Sequence, residues 1–384
     1  MTLKLKHTSW SLVFAFVSMF ILGLTDNIRG PLFPEVLHYF NLSSVRGSWS
    51  FATTSTASFL GAYLSVQFLR RYTLSSLLMT AVLFMGFGVL IMGKAPAFWI
   101  FIIGSFSIGI SIGFMGVAQN LLVTESTTLE KKTRTLSALH ATYGLASLIA
   151  PLLAATATNI TGTWRTAFII IGVLCFTYAI IQFLVKADPP FEVHQVSTAG
   201  QEDPIPVSKK ASMFIGGVFA FYVVAEIMIG TRLAQYMRSY YSMDLTRSSQ
   251  YVTYFFLFML IGRLFFAFKK ISMSTKKQMN ISLILSLILL ILGLNSHPLI
   301  LTIVGLSMAP FYPLSVAYIS EATGIHARKF LTFAMGFQSL AVVSMHLGVG
   351  YLTDTLGLFY AFGVGIFALL LSLVCLNFHP KKLV

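Results

Sequence analysis

The chain has 384 residues, of which 56% are hydrophobic and only 10% are Asp, Glu, Lys or Arg, with a net charge of +14. A typical soluble domain carries roughly 25% charged residues, so this chain cannot cover itself with a water-compatible surface. The composition argues against a soluble enzyme and makes a lipid bilayer the expected surroundings.

Long apolar runs recur near residues 9–34, 48–69, 74–93, 97–122, 136–158, 165–185, 212–237, 250–268, 279–295, 298–319, 331–352 and 358–378. Most reach the roughly 20 residues that a helix needs to cross about 30 Å of hydrocarbon, and lipid permits only helices or closed barrels. Twelve transmembrane helices are therefore expected, six in each half. The first run is too long for a signal-peptide core and lacks a small-residue cleavage site, so it reads as a retained helix. Residues 186–211 carry four prolines and mixed charge without apolar periodicity, which marks a cytoplasmic linker. The expected units are 1–185 and 212–384.

With the N-terminus inside, eighteen of the 26 basic residues fall on the cytoplasmic side, among them Lys4, Lys6, Arg70, Arg71, Lys131, Lys132, Lys276, Lys277, Lys381 and Lys382. Arg46, Lys94, Arg165, Arg238 and Arg247 fall outside, and Arg29, Arg232 and Arg263 lie within spans. This is the positive-inside pattern. The charge orients the chain, places both termini in the cytoplasm and implies no nucleic acid.

In the first span, Asp26 lies in otherwise apolar sequence with Arg29 three residues on, close enough on one helical face to pair. An ionised group within the bilayer is costly and is by default a functional hypothesis. The pair either neutralises itself or lines a wet cavity, where Asp26 takes a proton or a substrate hydroxyl and Arg29 an acidic group. Asn27 beside them is a further candidate contact. Asn120 in the fourth span is a candidate donor and acceptor, with helix–helix bonding as its alternative. In the fifth span His140, Tyr143, Ser147 and Pro151 follow at steps of three and four, a polar stripe on one face.

The second half repeats the first. Glu226 lies 200 positions after Asp26, and each acid is followed four residues on by a glycine, Gly30 or Gly230. Thr158–Gly162 (TNITG) matches Thr353–Gly357 (TDTLG) at an offset of 195, and Gln338 occupies the position matching Tyr143. Tyr222 precedes Glu226 by one turn, whereas Arg232 points roughly 120° away from Glu226 and faces either the cavity or the interface, by snorkelling. Arg263 lies at the cytoplasmic end of the eighth span, as a gating or anchoring residue. In the tenth span Pro310 and Pro313 flank Phe311 and Tyr312 and should disturb the helix. Cys175 and Cys375 fall in apolar runs with no metal or redox spacing. A duplicated six-helix plan fits transporters whose substrate site lies at mid-membrane between two halves.

These features together resemble the major facilitator superfamily over essentially the whole chain. Several segments are similar to its fucose:proton symporter-like sugar permeases: Tyr222-Val223-Val224-Ala225-Glu226 with Gly230, Gly262-Arg263-Leu264, Gly305 with Ala309-Pro310-Phe311-Tyr312-Pro313, and Leu139-His140-Ala141-Thr142-Tyr143-Gly144 with Pro151. The resemblance implies an all-α polytopic membrane protein, two pseudo-symmetric six-helix bundles that alternate access to one site. Beside the resemblance, the candidate substrate contacts read from the residues are Asp26, Asn27, Arg29, Asn120, His140, Tyr143, Tyr222, Glu226, Arg232 and Gln338, with Asp26 and Glu226 as the candidates for proton coupling and Arg70, Arg71 and Arg263 for gating. The chain departs from the pattern at two places. The loop after the second span has Gly61 and Arg70-Arg71 but no acid in Ser65-Val66-Gln67, and Arg232 stands where the sugar branch often has tryptophan. An arginine there counts against a neutral sugar; if Arg29 and Arg232 both face inward they would clamp an organic anion or acidic sugar, whereas two carboxylates in the same cavity argue the other way, toward polyols or cations.

There is no HExxH, no Gly-x-Ser-x-Gly and no phosphate-binding loop, so no catalytic residue, metal or cofactor is expected. The rival readings are drug or lipid efflux, against which Ala150-Pro151 replaces the Gly-Pro antiporter signature, and a membrane-embedded enzyme or receptor-like protein. A monomer in the plasma membrane, with a small solute and protons as partners, is the expectation.

Overall fold

The computed structural model describes residues 2–127, 129–185, 209–269, 271–323 and 327–378. These form α1 (Thr2–Phe40), α2 (Ser44–Phe68), α3 (Leu74–Lys94), α4 (Phe98–Ser126), α5 (Leu129–Thr161), α6 (Arg165–Leu184), α7 (Lys209–Tyr241), α8 (Leu245–Phe268), α9 (Thr275–Asn295), α10 (Pro298–Met308), α11 (Phe311–Thr323), α12 (Ala327–Leu356), α13 (Leu358–Ala361) and α14 (Gly363–Phe378). Among the described residues, eleven helical stretches are long and apolar enough to cross a membrane, with α10 and α11 forming one and α13 and α14 another. The remaining expected span, α2, has 25 residues. Its hydropathy is diluted by Ser44, Ser48, Ser50, Thr53, Thr54, Ser55, Thr56 and Ser58.

Most helices outrun their apolar runs, because a helix end that emerges from hydrocarbon can satisfy its free backbone groups with water or a cap. Thr73 caps α3 by accepting from Ser76 N, and Asp244 caps α8 by accepting from Arg247 N. Inside the bilayer the hydroxyls turn back on their own helix, as where Thr25 donates to Ile21 O at 2.9 Å. Such bonding removes the cost of an unpaired hydroxyl in lipid. The break between α10 and α11 falls at Ala309-Pro310, where proline lacks the N–H that would continue the helix.

The chain divides into two compact units: Met1–Glu35 with Trp49–Gly200, and Val36–Ser48 with Gln201–Val384. The end of α1, the following turn and the first residues of α2 thus belong to the second unit. Of the expected linker, 186–208 lies outside the described residues, and Lys209, Lys210 and Ala211 are already helical at the start of α7.

Each unit uses the same packing plan. In the first, α3 packs on α4 and α6, α2 meets α4 where Thr54 donates to Ser105 O at 3.1 Å, and α1 meets α6 where Tyr178 donates to Phe14 O at 3.1 Å. In the second, α9 packs on α10 and α14, α8 on α10, and α7 on α12 and α14. The loop ends repeat as well. α5 ends in Gly162 (φ 70°) and α12 in Gly357 (φ 90°), and each glycine N–H bonds the carbonyl four residues back, at Thr158 and Thr353. Positive φ there favours glycine, which explains why the TNITG and TDTLG segments match. Asn41 after α1 and Ser242 after α7 both have positive φ, at 50° and 53°.

Large apolar side chains also cover the outside, among them Phe183, Leu184 and Phe268. That surface suits hydrocarbon, where burial of apolar area no longer drives helix association and close packing of small residues takes its place.

Candidate functional site

In the first unit a polar network joins α1, α2 and α5 inside the apolar bundle. Gly23 makes it possible: a Cβ there would lie 2.7 Å from Ala146 Cβ and 2.9 Å from Tyr143 O, so only glycine lets α1 approach α5 this closely. One turn on, Asn27 Nδ2 donates to Ser147 Oγ at 2.9 Å and lies 3.2 Å from Tyr143 Oη. Tyr143 Oη donates to Asp26 Oδ2 at 2.7 Å, and Arg29 Nη2 donates to Asp26 Oδ1 at 2.8 Å. Arg29 Nη1 donates to Thr54 Oγ1 at 2.7 Å, with its Cζ 5.1 Å from the centre of the Phe51 ring.

The asymmetry of exposure matters. The Arg29 side chain is 8% exposed and Asp26 36%. The guanidinium is fixed from two helices and an aromatic face, while the carboxylate it holds remains open to an arriving group. Charge-assisted bonds of this kind are short and directional, and a half-open carboxylate can accept a solute hydroxyl or a proton. Arg29 Nε is buried without a hydrogen-bond partner.

In the second unit Arg263 Nη2 lies 3.2 Å from Glu226 Oε1, with side chains 32% and 19% exposed. Glu226 Oε2 is buried and has no hydrogen-bond partner. Tyr222, one turn earlier, is sealed in the core: its Oη donates to Met308 O at 2.7 Å, and its ring stacks on Phe311 at 4.2 Å between centroids. That bond lands on the last residue of α10, beside the proline break. The space beside Gly230 is taken by Phe256, whose Cζ would lie 3.3 Å from a Cβ there.

Arg232 is fully buried and does not snorkel. Its Nη2 donates to Ser48 Oγ at 2.6 Å, and Nη1 lies 3.4 Å from Gln235 Oε1. Gln235 Nε2 donates to Ser44 Oγ at 3.1 Å. Arg232 therefore sits in a cluster separate from Glu226.

The structure thus brings Asp26, Asn27, Arg29 and Tyr143 together and joins Glu226 to Arg263. The other candidates stand apart. Asn120 Nδ2 bonds Gly116 O of its own helix at 2.7 Å, His140 is exposed on α5, Gln338 is half-buried on α12, and Arg70 and Arg71 are exposed in the turn between α2 and α3. Sequence reasoning missed Thr54, Phe51 and the pairing of Arg263 with Glu226. The Gly262-Arg263-Leu264 segment carried the only signal for the last. Among the described residues no group of three or more His, Cys, Asp or Glu is placed to hold a metal ion.

The sequence profile of the Major Facilitator Superfamily matches residues 15–268. A rubrofusarin-specific efflux pump of Gibberella zeae is 29% identical over 190 residues, which cover 48% of this chain and 34% of the pump. The match thus spans about a third of that relative's length. Among solved structures, a D-xylose-proton symporter superposes with a TM-score of 0.76 at 14% identity, covering 98% of this chain and 100% of the symporter. A bacterial homologue of the human lysosomal transporter Spinster, in an inward-facing and occupied conformation, gives 0.73 at 12% identity and covers 96% of each chain. The peptide transporter POT in complex with sulfate gives 0.73 at 13% identity, covering 95% of this chain and 93% of that one. At these identities the structural likeness speaks to the fold alone. With the superfamily profile matched from residue 15 to residue 268, the chain belongs to the Major Facilitator Superfamily of membrane transporters.

Proposed function

We propose that this protein is a secondary transporter that moves a small hydroxylated solute carrying an acidic group, a sugar acid or related organic anion, by alternating access with protons as the coupling ion. The observation that carries this reading is Arg29: a buried guanidinium held by Asp26 and Thr54, with one N–H unpartnered, beside a carboxylate that stays open. A negative partner offsets much of the desolvation of a buried arginine, and a substrate carboxylate would add a second. Asp26, Asn27 and Tyr143 supply the acceptors and donors that hydroxyl groups need.

Glu226 is the proposed second acidic group, since its Oε2 offers a proton a buried place with no competing partner. The likeness in fold to a D-xylose-proton symporter, with the segments similar to fucose:proton symporter-like permeases, supports a sugar-related substrate. The basic residues support an orientation with both termini in the cytoplasm, and we place the protein as a monomer in the plasma membrane.

One observation favours export instead: the curated relative is an efflux pump. Proteoliposomes with an imposed proton gradient distinguish the readings. The account expects accumulation of a labelled hexuronate or aldonate, with alkalinisation outside. Loss of labelled solute from preloaded vesicles down an inward proton gradient, with no accumulation, would favour efflux.

A further inference from the structure

Helices α9 and α14, which pack on each other, are joined near one end by a reciprocal amide pair. Asn377 Nδ2 donates to Asn280 Oδ1 at 2.7 Å, and Asn280 Nδ2 lies 3.3 Å from Asn377 Oδ1. The second N–H of each amide turns back on its own helix, from Asn280 to Lys276 O at 3.0 Å and from Asn377 to Leu373 O at 2.9 Å. An asparagine amide has two donors and an oxygen with two lone pairs. All the donors are therefore used, while each oxygen has accepted one bond and keeps a lone pair. The pair can take hydrogen bonds but give none.

An amide pair that only glued two helices would sit best inside the bundle. This one opens outward: Asn377 is exposed and Asn280 half-buried. One turn deeper along each helix, Ile284 and Val374 are 43% and 46% exposed, as suits side chains that face acyl chains. In the first turn of α9, Lys276 and Lys277 stand four and three residues before Asn280, on the same helical face. Among the described residues neither lysine takes part in an ion pair. Their long flexible stems let the ammonium groups reach a phosphate at the membrane surface.

Two cations and two acceptor oxygens beside a lipid-facing surface define the partner. The lysines call for an anionic group and the amide oxygens for N–H or O–H donors, next to hydrocarbon. A second copy of this chain is a poor match through the same pair, because oxygen would meet oxygen. The geometry points to a phospholipid site, in which Lys276, Lys277 and the Asn280–Asn377 pair hold a lipid whose headgroup carries both a phosphate and a primary ammonium. A lipid with the same phosphate but a fully methylated ammonium lacks the donors and binds more weakly. The site does not depend on which solute the protein carries.

Native mass spectrometry of the delipidated full-length protein tests this, with phosphatidylethanolamine and phosphatidylcholine of the same acyl chains as probes. Both carry the phosphate, and only the first has N–H donors. The parent should bind phosphatidylethanolamine about tenfold more tightly, the factor expected of one hydrogen bond to a charged group. The paired change Asn280→Leu with Asn377→Leu replaces both partners by apolar groups of similar size, a swap close to neutral for stability, and should bring the two lipids to equal affinity. Lys276→Gln with Lys277→Gln should weaken both lipids alike. Equal affinity of the parent for the two lipids overturns the proposal without recourse to any variant, and so does a preference that survives in the folded leucine pair. A protein dimer that dissociates in the leucine pair would assign the surface to a second copy and overturn it too.

Discussion

Tyr143 and Asp26, 117 residues apart, meet through a 2.7 Å hydrogen bond from the phenol to Oδ2, on the carboxylate whose other oxygen is held by Arg29 at 2.8 Å. The acid is thus clamped by one neutral and one charged donor, and the phenol is the removable one. Tyr143→Phe should leave the fold intact and weaken ligand binding roughly tenfold, in line with about 1.5–3 kcal/mol for a hydrogen bond to a charged group. Isothermal titration on purified protein checks this. Affinity within twofold of the parent would make Tyr143 a packing residue.

Arg29→Lys keeps the charge but loses the fork that reaches Asp26 and Thr54 together. Binding of an anionic solute should fall at least roughly tenfold, while a neutral sugar, if it binds at all, should be little affected. If anionic and neutral ligands respond alike, Arg29 is only the partner of Asp26.

The pairing of Asp26 with Arg29 was legible in the chain, and the meeting of Tyr143 with Asp26 only in part. Residues 26 and 29 share a helical face by spacing alone, and the 200-residue register pointed to Glu226. Tyr143 could be placed on the inner face of its helix but not opposite Asp26, because that depends on the close approach that Gly23 permits. Thr54 left no trace, since a threonine in an apolar helix ordinarily bonds its own carbonyl four residues back, and Thr54 also does so, to Ser50 O. Helical geometry gave the direction of Arg232 relative to Glu226 but not its depth, which is set by Ser48 and Gln235. Asp354 was visible only as one letter of a repeated loop, because the Ser44 amide it accepts from lies 310 residues away.

Glu226 and Arg263 should behave as a unit. Glu226→Gln and Arg263→Gln should each abolish proton-driven accumulation, and the double variant should be no worse than either single one, since each removal already breaks the pair. Exchange of solute without a gradient should persist in Glu226→Gln. Additive losses in a double-mutant cycle of uptake rates would show the two residues acting separately.

The Ala309-Pro310 break places the carbonyl that Tyr222 bonds at the end of α10. Pro310→Ala permits a continuous helix across the join. Uptake should slow several-fold with ligand affinity preserved, as expected when a conformational step limits turnover. An unchanged turnover rate would show that the break has no part in the cycle.

Orientation is checked with single cysteines at Tyr72 and Pro96, exposed positions at opposite ends of α3. On intact cells an impermeant maleimide should label Pro96→Cys and spare Tyr72→Cys until the membrane is permeabilised. The reverse pattern would invert the topology.

The most direct measurement is accumulation of a labelled sugar acid in proteoliposomes under a proton gradient, comparing the parent with Asp26→Asn and Glu226→Gln at equal amounts of folded, reconstituted protein. The account predicts accumulation by the parent that collapses when the gradient is dissipated and is lost in both variants. Accumulation at the parental level in both variants would contradict it.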